Sequence, residues 1–91
     1  MFIIAISYNF DGSYIAKKRD SYEDALQVMQ EALNEEIATI NKESGYLPSV
    51  LAWEENDITL VYAEGYTKED TERNYAKEDC AYYRIFEVEE D

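Results

Sequence analysis

The sequence predicts an α+β fold in which a mostly antiparallel sheet of about five strands carries one long helix, at about residues 21–43, on one face. Two observations support this prediction. Short strand-like apolar segments bounded by turn signals lie on both sides of the helical region, and apolar residues recur at steps of three or four within it. The resulting order, ββαβββ, is typical of a two-layer domain. At 91 residues, the chain is expected to form a single acidic α+β domain, residues 1–91.

The first predicted hairpin covers roughly residues 1–16. Residues 1–8 carry apolar side chains on both faces, a pattern typical of a central strand that is covered on both sides. The Asp11-Gly12 pair predicts a tight turn, since glycine adopts a positive φ without a steric penalty. The return strand continues into Lys17-Lys18-Arg19, and such consecutive charges discourage further pairing at an exposed sheet edge.

The long helix has clear start and stop signals. Ser21 is suited to accept a hydrogen bond from a free amide of the first turn, and the acidic Glu23 and Asp24 complement the positive end of the helix dipole. Lys42 and Gly45 are the expected stop signals. The apolar stripe that predicts packing against the sheet consists of Leu26, Met29, Leu33, Ile37 and Ile40.

The second half of the chain predicts another hairpin and a final strand. Residues 49–53 and 58–62 flank a polar turn and form the hairpin. Residues 64–79 are polar, although Thr67 and Asp70 have the spacing of a capping box, so one or two helical turns are compatible with the sequence. Residues 80–88 alternate as a fifth strand, with Tyr82, Arg84 and Phe86 on one face.

One helix leaves the second face of a five-stranded sheet uncovered. The pattern does not fix which side of each strand points toward the helix. Aromatic side chains are candidates for the uncovered face because tyrosine tolerates both apolar contact and water. The candidates are Tyr8, Tyr62, Tyr82 and Phe86. These side chains either complete a small core or form a surface for a homodimer or another partner, and both interpretations stay open.

Charge is the strongest functional signal in the sequence. The chain contains 21 Asp and Glu residues against 8 Lys and Arg residues, a formal net charge of −13. Solubility alone typically needs a net charge of about 2 to 8 in magnitude. The first 20 residues carry +1, whereas residues 21–91 carry five basic and nineteen acidic side chains, or −14. The acidity is therefore concentrated after the first hairpin.

The composition argues against the common catalytic classes. Histidine is absent, which excludes histidine-based nucleophilic relays and histidine zinc sites. The single Cys80 cannot form an internal disulfide and is interpreted as a buried structural thiol. The three glycines are too far apart for a phosphate-binding loop. Carboxylate pairs are expected by chance among 21 acids, so we predict no enzyme, no metal site and no cofactor.

Hydropathy and the shortage of basic residues predict where the protein is located and whether it binds nucleic acid. The sequence has no stretch near the roughly 20 apolar residues of a membrane span and no secretory leader, which predicts a cytoplasmic protein. Nucleic-acid affinity depends on Lys and Arg that neutralise phosphates, and this surface would repel them. We therefore expect neither membrane binding nor direct nucleic-acid binding.

The leading hypothesis is a small acidic interaction protein that binds and occludes a basic, nucleic-acid-handling protein. In composition alone the chain resembles DNA-mimic inhibitors of the anti-restriction and anti-CRISPR type: it is small, acidic, tyrosine-rich and a single domain. The resemblance includes no sequence motif and transfers no residues. The hypothesis assigns the role of phosphates to acidic residues and that of anchors to two tyrosines, at Glu54, Glu55, Asp57, Glu64, Tyr66, Glu69, Asp70, Glu72 and Tyr75.

Two alternatives compete with this hypothesis. An immunity protein or antitoxin would use the same acidic surface against a cationic toxin. A structural or regulatory homodimer without enzymatic activity would instead pair through the uncovered sheet face, and its charge would only prevent further association.

Overall fold

The described residues form one five-stranded sheet with a long helix on one face and a short helix on the other. The computed structural model describes residues 1–9, 12–43, 49–62, 66–73 and 80–89, with only the backbone described at 40–43. The elements are β1 (Phe2–Tyr8), β2 (Tyr14–Arg19), α1 (Tyr22–Glu43), β3 (Ser49–Glu54), β4 (Asp57–Val61), α2 (Lys68–Glu72) and β5 (Cys80–Glu87). The α+β class and the long helix predicted from the sequence are confirmed.

All strand pairings in the described sheet are antiparallel, in the order β2-β1-β5-β4-β3. The first and last strands lie side by side, from Phe2 opposite Glu87 to Tyr8 opposite Ala81. β1 is therefore an interior strand, as predicted. β2 lies at one edge with every residue exposed, which confirms the prediction that Lys17, Lys18 and Arg19 occupy an edge.

The main core lies between α1 and the adjacent sheet face. Ile4 and Ile6 of β1 and Tyr83 of β5 point toward the helix, which contributes Met29 and Leu33. The three-and-four spacing of the apolar helix residues brings them onto the side that faces the sheet. The predicted helix stripe is thus confirmed over the residues whose side chains are described, while Ile40 lies outside them.

Local signals explain where the elements begin. The hydroxyl of Ser21 accepts a 3.1 Å hydrogen bond from the backbone N–H of Asp24, so the predicted start of α1 is confirmed. Gly12 has a φ of 75° at the end of the first turn, a left-handed conformation that glycine adopts readily. Phe10, Asp11 and the stop signal Gly45 lie outside the described residues.

The second hairpin and the short helix follow their predicted signals. β3 and β4 pair around a turn at residues 55–56, with a register shift between Ala52 and Glu54. Thr67 and Asp70 form the predicted capping box: each side chain accepts a hydrogen bond from the backbone N–H of the other residue. Neither helix in the described part of the chain is long and apolar enough to span a membrane.

Two of the four candidate aromatics for the uncovered face lie on the other side of the sheet. Tyr8 and Tyr62 pack against the core beneath α1, so for these two the alternative in which they complete the core applies. Tyr8 is opposite Ala81 and continues the buried series of Ile4 and Ile6, because alternate residues of a strand share a face. Tyr82 and Phe86 line the face opposite α1, so for these two the alternative of an exposed surface applies.

Candidate functional site

A groove crosses the sheet face opposite α1, and we call it the open-face groove. Its volume is about 640 Å³, within the usual range of ligand-binding clefts. Small side chains form part of its floor: Ala5 and Ser7 of β1 alternate with the buried Ile4 and Ile6. Because small residues occupy the middle of this face, the larger side chains around them form walls.

Strand register brings the walls of the open-face groove together. Ser7 is opposite Tyr14 on one side and Tyr82 on the other, and Tyr82 is in turn opposite Thr59. Residues directly across an antiparallel ladder share a face, so this row runs across four strands. Tyr14 and Phe86 are 64% and 45% exposed, respectively, which leaves aromatic surface accessible to a partner.

Trp53 forms the wall of the groove nearest α2. Its indole N–H donates a 2.7 Å hydrogen bond to the hydroxyl of Thr59, which fixes the orientation of the ring. The ammonium group of Lys68, from the first residue of α2, lies 4.5 Å from the ring centroid. This distance is within the range of a cation–π interaction. The ring of Trp53 therefore presents a face that holds a cation.

A second cation lies on the floor of the groove. Arg84 is opposite Asp57 in the β4–β5 ladder, and its Nη2 lies 2.7 Å from Oδ2 of Asp57. The guanidinium carbon is also 5.7 Å from the ring centroid of Phe86. Arg84 is thus paired with a carboxylate and lies within cation–π distance of an aromatic ring at the same time.

Tyr82 and Cys80 differ in their access to the groove. Tyr82 lines the groove, and burial raises its pKa, with neighbouring Cys80 adding to the effect. Cys80 is completely buried, which agrees with the structural thiol predicted from the sequence. A tyrosine is neutral at physiological pH even with its ordinary pKa, and burial moves the pKa of Tyr82 further from that range, so the groove contains a neutral hydroxyl at this position.

The predicted partner-binding residues that the structure describes lie in four places, one of which is α2, with Glu69 and Asp70. Glu54 and Glu55 are exposed at the turn of the β3–β4 hairpin. Asp57 and Glu72 line the open-face groove together. Tyr66 is half-buried against Val61 and Cys80. Glu64 and Tyr75 lie outside the described residues.

Three of the predicted acidic residues have partners inside the protein. Asp57 is paired with Arg84, and Glu69 lies 2.5 Å from Nη2 of Arg73. Asp70 accepts the hydrogen bonds of the capping box. The carboxylates of these three residues already make contacts within the protein, so they are less available to a partner than the sequence hypothesis assumed.

An acidic stripe on α1 was not singled out from the sequence. Asp24, Glu31 and Glu35 are exposed and separated by seven and four residues, so they lie along one line of the helix surface, about 17 Å long. No Lys or Arg occurs between residues 20 and 41. We call these three residues the acidic stripe. The helical spacing of the acids was the sequence signal that would have identified it.

The groove was also missed as a site, although Tyr82 and Phe86 were among the candidates for the uncovered sheet face. Its lining comes from β1, β2, β3, β4, β5 and α2, and no short motif connects these segments. Within the described residues, no group of three or more Cys, Asp or Glu side chains is arranged to hold a metal ion. The characteristic groups of the groove among the described residues are its aromatic rings and the cations Lys68 and Arg84.

Comparison with known proteins adds no functional information. The chain matches no known protein family, no curated protein sequence and no solved structure. The structure itself gives the class of the protein: an α+β domain whose antiparallel sheet carries a helix on one face and an aromatic groove on the other.

Proposed function

We propose that this protein is a non-enzymatic interaction protein that binds a basic, nucleic-acid-handling surface of another protein and blocks access to it. The acidic stripe on α1 is the observation that supports this proposal. Its three carboxylates are exposed on one line of a helix that contains no Lys or Arg before Lys42. Lys17 of β2 lines a small pocket together with Glu35, and it makes no ion pair among those the structure describes. A row of negative charges on a rigid element is suited to meet a row of Lys and Arg side chains.

The charge balance of the described surface supports the same proposal. Among the residues whose side chains are described, fourteen are acidic and six are basic, a net of −8. Two of the six cations, Arg73 and Arg84, are already paired with carboxylates. The remaining negative field attracts a cationic protein over long range and accelerates association. Short-range contacts then determine how long the complex lasts.

The proposal is tested by isolating a partner and measuring how its binding depends on charge. The tagged protein is used to capture partners from the native host at low salt, and affinity for the purified partner is then measured between 50 and 500 mM salt. We expect affinity to fall steeply with salt and the complex to exclude DNA. Salt-independent binding, or a complex that still binds DNA, would overturn the proposal.

Matched charge variants assign the contact to the acidic stripe. Glu31→Gln combined with Glu35→Gln removes two charges from the stripe, and Glu87→Gln combined with Glu89→Gln removes two exposed charges at the end of β5. We expect the stripe variant to weaken binding about two- to tenfold more than the control, since exposed ion pairs contribute modestly. Equal losses would show that only net charge matters and that α1 is not the contact.

A further inference from the structure

The open-face groove has the chemistry of a receptor for a cationic side chain. Two cationic side chains of the protein itself line the described part of this groove, Lys68 and Arg84. The Lys68 ammonium lies 4.5 Å from the ring centroid of Trp53, and the Arg84 guanidinium carbon lies 5.7 Å from that of Phe86. Arg84 is neutralised by Asp57, whereas Lys68 is exposed and lies on a helix of five residues. The cation on Trp53 is therefore the one that an incoming group is able to replace.

Charge complementarity selects the kind of occupant. The chain carries a net charge of −13, which favours a cation over an anionic ligand or nucleic acid at long range. Among the described residues of the groove, Asp57 and Glu72 balance Arg84 and Lys68, so displacement of Lys68 leaves one uncompensated negative charge. Glu72 lines the same groove one helical turn after Lys68, so the groove keeps this carboxylate when the lysine moves away. Aromatic rings and carboxylates both bind ammonium and guanidinium groups.

We propose that the open-face groove accepts a Lys or Arg side chain from a basic segment of the partner protein, and that Lys68 occupies this position on Trp53 until the partner displaces it. The proposal rests on the proposed function for the nature of the partner. It adds a second contact, on the face opposite the acidic stripe. Entry requires the flexible Lys68 side chain to rotate into solvent, where its ammonium group is fully hydrated.

The test uses Trp53 as a reporter because it is the only tryptophan in the chain. A synthetic peptide, acetyl-Gly-Arg-Gly-Arg-Gly-amide, is titrated into the protein at constant ionic strength while the indole N–H resonance and the fluorescence of Trp53 are recorded. The control peptide contains citrulline in place of arginine, which keeps the shape and removes the charge. We expect the arginine peptide to shift the Trp53 signals and the citrulline peptide to leave them unchanged.

Two matched variants test displacement of Lys68. Lys68→Met and Arg73→Met each remove one exposed cation from the region of α2, so they change the net charge equally. Only Lys68 lies over Trp53, whereas Arg73 is paired with Glu69. We expect Lys68→Met to bind the arginine peptide about two- to fivefold more tightly than Arg73→Met, since one competing cation–π contact is removed. Equal affinities of the two variants would overturn the proposal.

The outcomes separate this proposal from the proposed function. Peptide binding that leaves the Trp53 signals unchanged overturns the groove proposal, while the salt-dependent complex with a basic partner stands on its own test. Trp53 signals that shift with the arginine peptide support the groove even when no nucleic-acid-handling partner is recovered. Trp53 signals that change on dilution, together with a dimer in sedimentation, identify a second copy as the occupant and overturn the proposal.

Discussion

The indole N–H of Trp53 is held by the hydroxyl of Thr59, 2.7 Å away across the β3–β4 hairpin. Thr59 is only 1% exposed, and its hydroxyl is the acceptor that fixes the ring at the wall of the open-face groove. A half-buried donor that loses its acceptor destabilises the folded state, because water does not fully replace the lost bond. This pair therefore couples the stability of the hairpin to the shape of the groove.

Replacement of Thr59 tests this coupling. Thr59→Val keeps the shape of the side chain and removes the acceptor, so we expect the free energy of unfolding to fall by about 1 to 2 kcal/mol. Urea unfolding followed by circular dichroism measures the change. In a Trp53→Phe background the donor is absent, and the same substitution is expected to cost about 1 kcal/mol less. Equal costs in both backgrounds would show that the hydrogen bond contributes nothing.

Local sequence patterns were sufficient to predict most of the elements but not their lateral arrangement. The alternation of β1, the cap at Ser21 and the capping box at Thr67 are properties of a few neighbouring residues, and each prediction was confirmed. The pairing of β1 with β5 joins the two ends of the described chain. Such a contact depends on the packing of the complete sheet, so no short pattern indicates it.

The candidate site likewise depends on contacts between distant parts of the chain, which local sequence patterns do not reveal. Alternation placed Tyr82 and Phe86 on a common face, but it did not indicate that this face is the one opposite α1. The place of Tyr8 stayed open for the same reason: its packing against the core follows from the orientation of β1 toward α1. The Lys68–Trp53 contact joins residues from two separate elements and becomes visible only after folding.

Ser21 is expected to contribute measurably to the stability of α1. Its hydroxyl accepts a hydrogen bond from the backbone N–H of Asp24 in the first turn of the helix. Ser21→Ala leaves this amide without its side-chain acceptor, and we expect a loss of about 1 kcal/mol in urea unfolding. Ser21→Asp also caps a helix and is the conservative control, expected to recover most of the loss. The role of the cap would be contradicted if alanine and aspartate gave the same stability.

Met29 is the point at which α1 is most sensitive to loss of packing. Its side chain is completely buried between the helix and the sheet. We expect Met29→Ala to reduce the free energy of unfolding by about 2 to 5 kcal/mol, because the substitution removes apolar contacts and leaves a cavity. Met29→Leu conserves volume and is expected to cost less than about 1.5 kcal/mol.

The adjacent Gln30 provides the matched control for this substitution. Gln30 is exposed on the same helix, so Gln30→Ala tests the effect of alanine without a cavity. Its effect on urea unfolding is expected to stay within about 0.5 kcal/mol. A loss at Gln30 as large as that at Met29 would place the main core elsewhere.

The buried phenol of Tyr83 is expected to make the folded state less stable at alkaline pH. Burial raises the pKa of its phenol, and the nearby Tyr8, Tyr62 and Glu36 raise it further. The unfolded chain loses this proton near pH 10, whereas the folded chain retains it. Above pH 10 the unfolded state therefore binds fewer protons, and stability falls as pH rises, by up to about 1.4 kcal/mol per pH unit from this group.

Tyr83→Phe isolates this contribution. The hydroxyl of Tyr83 is buried and makes no well-formed hydrogen bond within the described part of the structure, so its removal at pH 7 is expected to be neutral or to stabilise by up to about 1 kcal/mol. Urea unfolding at pH 7, 9, 10 and 11 measures both effects. We expect the variant to lose less stability than the wild type above pH 10 and to match its profile below pH 9. Parallel profiles across the whole range would show that Tyr83 ionises equally in both states, and a large loss at pH 7 would show that its hydroxyl is bonded in the folded protein.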